Sequence, residues 1–76
     1  MNIKQLEIYA AQCLAAEKPI QLFIEMPGFD APELIVNPPE NIEKKMEYYK
    51  ATYDDNCNHK FAKGVSIVDF IYDVKR

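Results

Sequence analysis

The segment Asn37-Pro38-Pro39-Glu40-Asn41 constrains this chain more than any other, because adjacent prolines cannot lie inside a central strand or a helix interior. Proline lacks the N–H that a sheet ladder uses, so the apolar run ELIVN, residues 33–37, ends there as a strand. The same residue fits the first turn of a helix, where N–H groups have no intrahelical partner. Asn37 and Asn41 are candidate caps, and Glu40 and Glu43 suit the positive end of a helix dipole. The spacing predicts a helix running to about Asn56, with Ile42, Met46, Tyr49 and Tyr53 in one narrow core stripe. Tyr48 falls roughly 100° around the helix from that stripe, on a flank beside Lys45 and Thr52. Glu40 with Lys44 and Glu47 with Lys50 read as surface charge pairs worth a few tenths of a kcal/mol.

Upstream, residues 2–17 read as an amphipathic helix with Ile3, Leu6, Ala10, Cys13 and Leu14 on one face. Asn2 is its expected N-cap and Pro19 its stop, while Ile8 falls on the polar side as an exposed residue or a contact point. Residues 20–26, IQLFIEM, alternate as a strand, and the PGFDAP break leads directly into 33–37, a connection suited to an antiparallel hairpin. After Gly64, VSIVDFIYDV is a β-rich run read as a third strand. The order α-β-β-α-β predicts an α+β domain, a three-stranded antiparallel sheet with two helices on one face.

At 76 residues the chain is expected to form a single domain, 1–76, of marginal stability. No stretch approaches the ~20 apolar residues of a membrane span, and the amino-terminal segment, interrupted by Lys4, Gln5, Glu7 and Gln12, does not read as a signal peptide. A cytoplasmic location follows as the expectation, with Cys13 and Cys57 as free thiols in a reducing compartment and a single disulfide between them as the alternative. The net charge of −3, with lysines dispersed among glutamates, disfavours direct nucleic-acid binding.

On strict alternation, Ile20, Leu22, Ile24, Leu34, Val36, Val68 and Phe70 share one sheet face. The other shows Phe23, Ile35, Ile67 and Ile71 among Gln21, Glu25, Glu33, Asp69 and Asp73. An open sheet needs only one covered face. Loops, the carboxyl terminus or simple exposure would account for those apolar residues; so would a partner or self-association surface with an acidic rim.

Motifs for chemistry are sparse. His59 and Cys57 supply at most two of the four ligands of a structural zinc site, and their sequence proximity does not make a catalytic pair. Asp54, Asn56 and Asn58 imitate the opening of a calcium loop, but His59 stands where glycine is required and Val65 where the closing glutamate belongs. Asp69 and Asp73 on one strand would lie ~13 Å apart, too far for a hydrolase pair. The chain has only two glycines and no phosphate-binding or nucleophile-elbow motif. The expectation is a non-enzyme that takes no cofactor or metal.

The segment ELIVNPPENIEKKMEYYKATYDDN, with the later KGVSIVDF, resembles small proteins encoded by phages and prophages of Gram-positive bacteria, roughly over residues 33–70. In those proteins a hydrophobic strand, an Asn-Pro turn and an EKKxEYYK helix follow in this order. The resemblance implies an early-type accessory protein acting on host or phage machinery. Compact acidic proteins of that kind include inhibitors of bacterial defence nucleases, anti-CRISPR proteins among them.

Together these readings favour a phage-type module that binds and modulates or inhibits a host protein through Tyr48, Phe29 in the hairpin loop, and Phe23, Ile67, Asp69 and Ile71 on the sheet. The alternatives are a homodimeric or larger oligomeric small-molecule or nucleotide binder, and a self-associating structural protein.

Overall fold

The structure, a computed structural model, describes residues 2–71. Its elements follow the predicted order: α1 (Ile3–Ala15), β1 (Ile20–Glu25), β2 (Glu33–Asn37), a 3-10 turn (Pro39–Asn41), α2 (Ile42–Thr52) and β3 (Ser66–Phe70). The strands form one antiparallel sheet in the order β2-β1-β3.

Helix α1 starts on a capping box. Asn2 Oδ1 accepts the Gln5 N–H at 2.9 Å, and Gln5 Oε1 accepts the Asn2 N–H at 3.0 Å, so two end donors are satisfied reciprocally. The helix ends at Ala15, short of the expected residue 17, in a Schellman closure. The Glu17 N–H donates to the Leu14 carbonyl and the Lys18 N–H to that of Cys13, with Glu17 in the left-handed region at φ 55°.

Helix α2 ends at Thr52, not near Asn56. Tyr53 turns extended and bridges His59, and Asp54 Oδ1 accepts the N–H groups of Asn56 and Asn58, a side-chain turn that competes with further helix. Neither predicted asparagine caps α2 through its side chain: Asn41 makes no cap bond, and Asn37 is buried with Nδ2 donating to the Tyr49 hydroxyl at 3.0 Å. Lys50 pairs with Glu7 of α1 at 3.0 Å rather than with Glu47.

Both helices lie on the sheet face that carries Ile20, Leu22 and Ile24. Leu6, Tyr9, Ala10 and Cys13 of α1, Ile42 and Tyr49 of α2, and Tyr53, Cys57 and Ile67 complete the core. Cys13 and Cys57 are free and buried, and desolvation pushes both thiols above their ordinary pKa.

Two predicted strand faces are corrected. Ile35 stands opposite Leu22, so it shares the helix-covered face, and Leu34 and Val36 turn outward opposite Phe23 and Gln21. Pairing by the opposite parity reverses every side chain of a strand. In β3 a bulge makes Leu22 meet Phe70 but Ile24 meet Ile67, so Val68 is the extra residue. Ile67, assigned to the outer face by alternation, is therefore core at 1% exposure, whereas Val68 is outside at 39%. Asp73 lies outside the described residues, so its expected place on one strand face with Asp69 does too.

Candidate functional site

The hairpin and the bulge together build the solvent-side face of the sheet. Phe23 lies at its centre, half-buried, with Gln21 and Glu25 on the same side of β1. Leu34 is its cross-strand partner in β2 and Asp69 its partner in β3, while Val36 stands opposite Gln21. Leu34, Val36 and Val68 are all exposed, Val36 most of all at 52%. Across this face an apolar patch is rimmed by Glu25 and Asp69, and none of the three strands contains a lysine, arginine or histidine. Asp69 Oδ1 accepts the N–H of Phe70 at 2.8 Å, which ties that carboxylate to the bulge.

The predicted contact residues do not form one site. Phe23 and Asp69 meet on the outer face. Half-buried Ile71 adjoins them, its N–H donating to the Gln21 carbonyl at 3.0 Å. Tyr48 is exposed on α2, as the helical spacing predicts, with Lys45 Nζ 5.1 Å from its ring centroid and the Tyr49 ring edge-on at 5.5 Å. It belongs to the helical layer, on the other side of the sheet. Phe29 projects from the hairpin loop beyond Gly28, where the Met26 carbonyl accepts the Phe29 N–H at 3.3 Å. Pro27 followed by Gly28 at φ +85° is the type II turn pattern. Ile67 is excluded from the surface by burial.

Leu34, Val36 and Val68 are the surface residues that sequence reasoning placed inside. The one signal for the β2 pair was Asn37, a polar residue paired with core Ile20 and made tolerable there by the Tyr49 hydroxyl. For Val68 the signal was absent, because a bulge has no signature in SIVDF.

The polar residues considered for chemistry hold the backbone instead. His59 Nδ1 accepts the N–H groups of Phe61 (3.1 Å) and Ala62 (2.9 Å), which folds the loop before β3 and leaves Phe61 exposed. Gly64 closes that loop at φ +87°, where a Cβ would come within 2.9 Å of the Pro27 side chain, so the loop packs on the hairpin turn. Asp54 Oδ1 is occupied by its two backbone donors. Among the described residues, no three His, Cys, Asp or Glu side chains are grouped as metal ligands, and no helix is long and apolar enough to cross a membrane.

A second depression, of about 270 Å³, runs between the helices. Leu14, Ala11, Met46, Glu43 and Glu47 line it together with the Glu7–Lys50 pair. It is shallow, and its ion pair is solvent-exposed.

No protein-family model, curated protein or solved structure matches the chain.

Proposed function

We propose that this chain is a non-enzymatic protein-binding module whose outer sheet face docks a partner protein with an apolar centre and a basic rim. One observation carries this reading: Phe23, Leu34, Val36 and Val68 lie together on a sheet face that, among the described residues, no helix covers and only acidic charges rim. Covering the exposed side chains favours association by roughly 1 kcal/mol each, and Glu25 and Asp69 select for lysine or arginine around the contact. Stacking two such faces on each other would set carboxylate against carboxylate, so the occupant of this face is a different chain.

The sequestered thiols and the backbone-bound His59 and Asp54 support a role without catalysis. The resemblance over residues 33–70 supports the biological setting: a phage-type accessory protein that modulates or inhibits a host protein in the host cytoplasm, with defence nucleases the first class to test. Capture from host lysate, followed by reconstitution from purified components, tests both parts. The complex should form with wild type and with Tyr48→Ala, weaken as salt rises, and fail with the folded double variant Leu34→Asp/Val68→Asp. Binding that survives the double variant would overturn the assignment of the face.

A further inference from the structure

We infer that the free edge of β2 is a self-pairing edge, joining two copies of this chain antiparallel about a two-fold axis at Ile35. Alternation along an antiparallel strand sets which backbone groups face outward. The Gln21 carbonyl accepts the Ile71 N–H, so Gln21 turns its peptide groups toward β3. Alternation then turns those of Leu22 toward β2, where Leu22 meets Ile35, and those of Leu34 and Val36 away from β1. Pro32 and Pro38, the next outward positions on either side, have no N–H. The bare edge therefore offers two donors, and both lie within the strand.

Pairing about Ile35 places Leu34 opposite Val36 of the second copy, and the reverse. Every outward N–H and C=O of the two residues is then used, in four hydrogen bonds, within strand residues only. The charges agree. Glu33 is the only ionised residue of β2, and this register sets it opposite Asn37, with the two glutamates ~13 Å apart at opposite ends of the seam. Apolar pairs fill the space between: Ile35 with Ile35 on the helix side, Leu34 with Val36 on the other.

The opposite edge shows how this fold protects a strand. There, Ile67 donates to the Cys57 carbonyl, Asn58 bridges Ser66, and a bulge twists β3. Among the described residues no other strand pairs with the outer edge of β2, and it carries neither bulge nor lysine. Two five-residue edges bury less than the ~800 Å² per partner of a standard interface, so the dimer is a weak, concentration-dependent one. It uses the backbone edge of β2, whereas the partner-binding face uses outward side chains; Leu34 and Val36 belong to both, and pairing brings the two apolar patches side by side.

Sedimentation equilibrium of the full chain from low micromolar to about 1 mM should show the mass rising from 8.8 kDa toward twice that value. Leu34→Pro removes one outward N–H and no bond to β1, and should weaken association at least tenfold while keeping the native circular dichroism. Ile35→Cys supplies an independent readout, since a non-hydrogen-bonded antiparallel pair holds its Cα atoms at ~4.5 Å, within disulfide range. Mild oxidation should give a 35–35 cross-linked dimer under native conditions and none in denaturant. A monomer at about 1 mM overturns the seam, even if the edge takes a foreign strand. So does a dimer that does not cross-link at position 35, whether or not Leu34→Pro folds.

Discussion

The Tyr9 hydroxyl accepts the backbone N–H of Gln21 at 2.9 Å, while the Tyr9 ring stacks on Phe70 at 4.2 Å between centroids. One side chain of α1 thus fastens the first strand and the last. The bond lies on the β3 side of β1, where the sheet would otherwise supply a carbonyl to that N–H. Tyr9→Phe keeps the stack and orphans the donor, so it should cost about 1–2 kcal/mol in chemical denaturation. Tyr9→Ala removes both and should cost about 3–5 kcal/mol.

The bulge in β3 gives a sharper test, because adjacent residues should respond oppositely. Ile67→Asp buries a carboxylate in the core and should cost about 4 kcal/mol or more, enough to unfold a domain of this size. Val68→Asp on the solvent side should change stability by less than about 1 kcal/mol. Equal losses would argue against the bulged register.

Glu17 occupies a left-handed position that an L side chain adopts at a cost of about 1–2 kcal/mol. Glu17→Gly relieves that cost and gives part of it back in unfolded-state entropy, so a net gain of about 0.5–1 kcal/mol is expected in thermal or urea melts.

Alkaline pH should loosen the core through Tyr53. Desolvation pushes its phenol from 10.0 up to about 12, so in this window the folded chain holds a proton that the unfolded chain has lost. Stability is therefore complete below about pH 10 and falls as pH rises toward 12. The Tyr49 phenol and both buried thiols, also raised by desolvation, act in the same direction. Tyr53→Phe should leave neutral-pH stability nearly unchanged and flatten the alkaline slope in pH-dependent denaturation.

The sequence made the elements legible because their boundaries are chemical. Pro38-Pro39 forces the strand-to-helix change, and Asn2 with Gln5 marks the first helix. Tyr48 was legible for a related reason: a helix has a fixed period, and its flank follows from counting. The sheet faces were not. A strand's face is set by pairing parity, which depends on where the hairpin closes, and by a bulge that exists only in relation to the partner strand. That is why Ile35 and Ile67 exchanged places with Leu34, Val36 and Val68, and why the candidate surface kept Glu25 and Asp69, lost Glu33, which pairs with Ile24 on the helix side, and changed its apolar members.

The most direct test of that surface is side-chain oxidative footprinting of the chain, free and saturated with the partner recovered from host lysate. Protection is predicted at Phe23, Leu34, Val36 and Val68, with Tyr48 and Leu14 unchanged. Protection confined to Leu14 and Met46 between the helices, with the sheet residues oxidised as in the free chain, would contradict it.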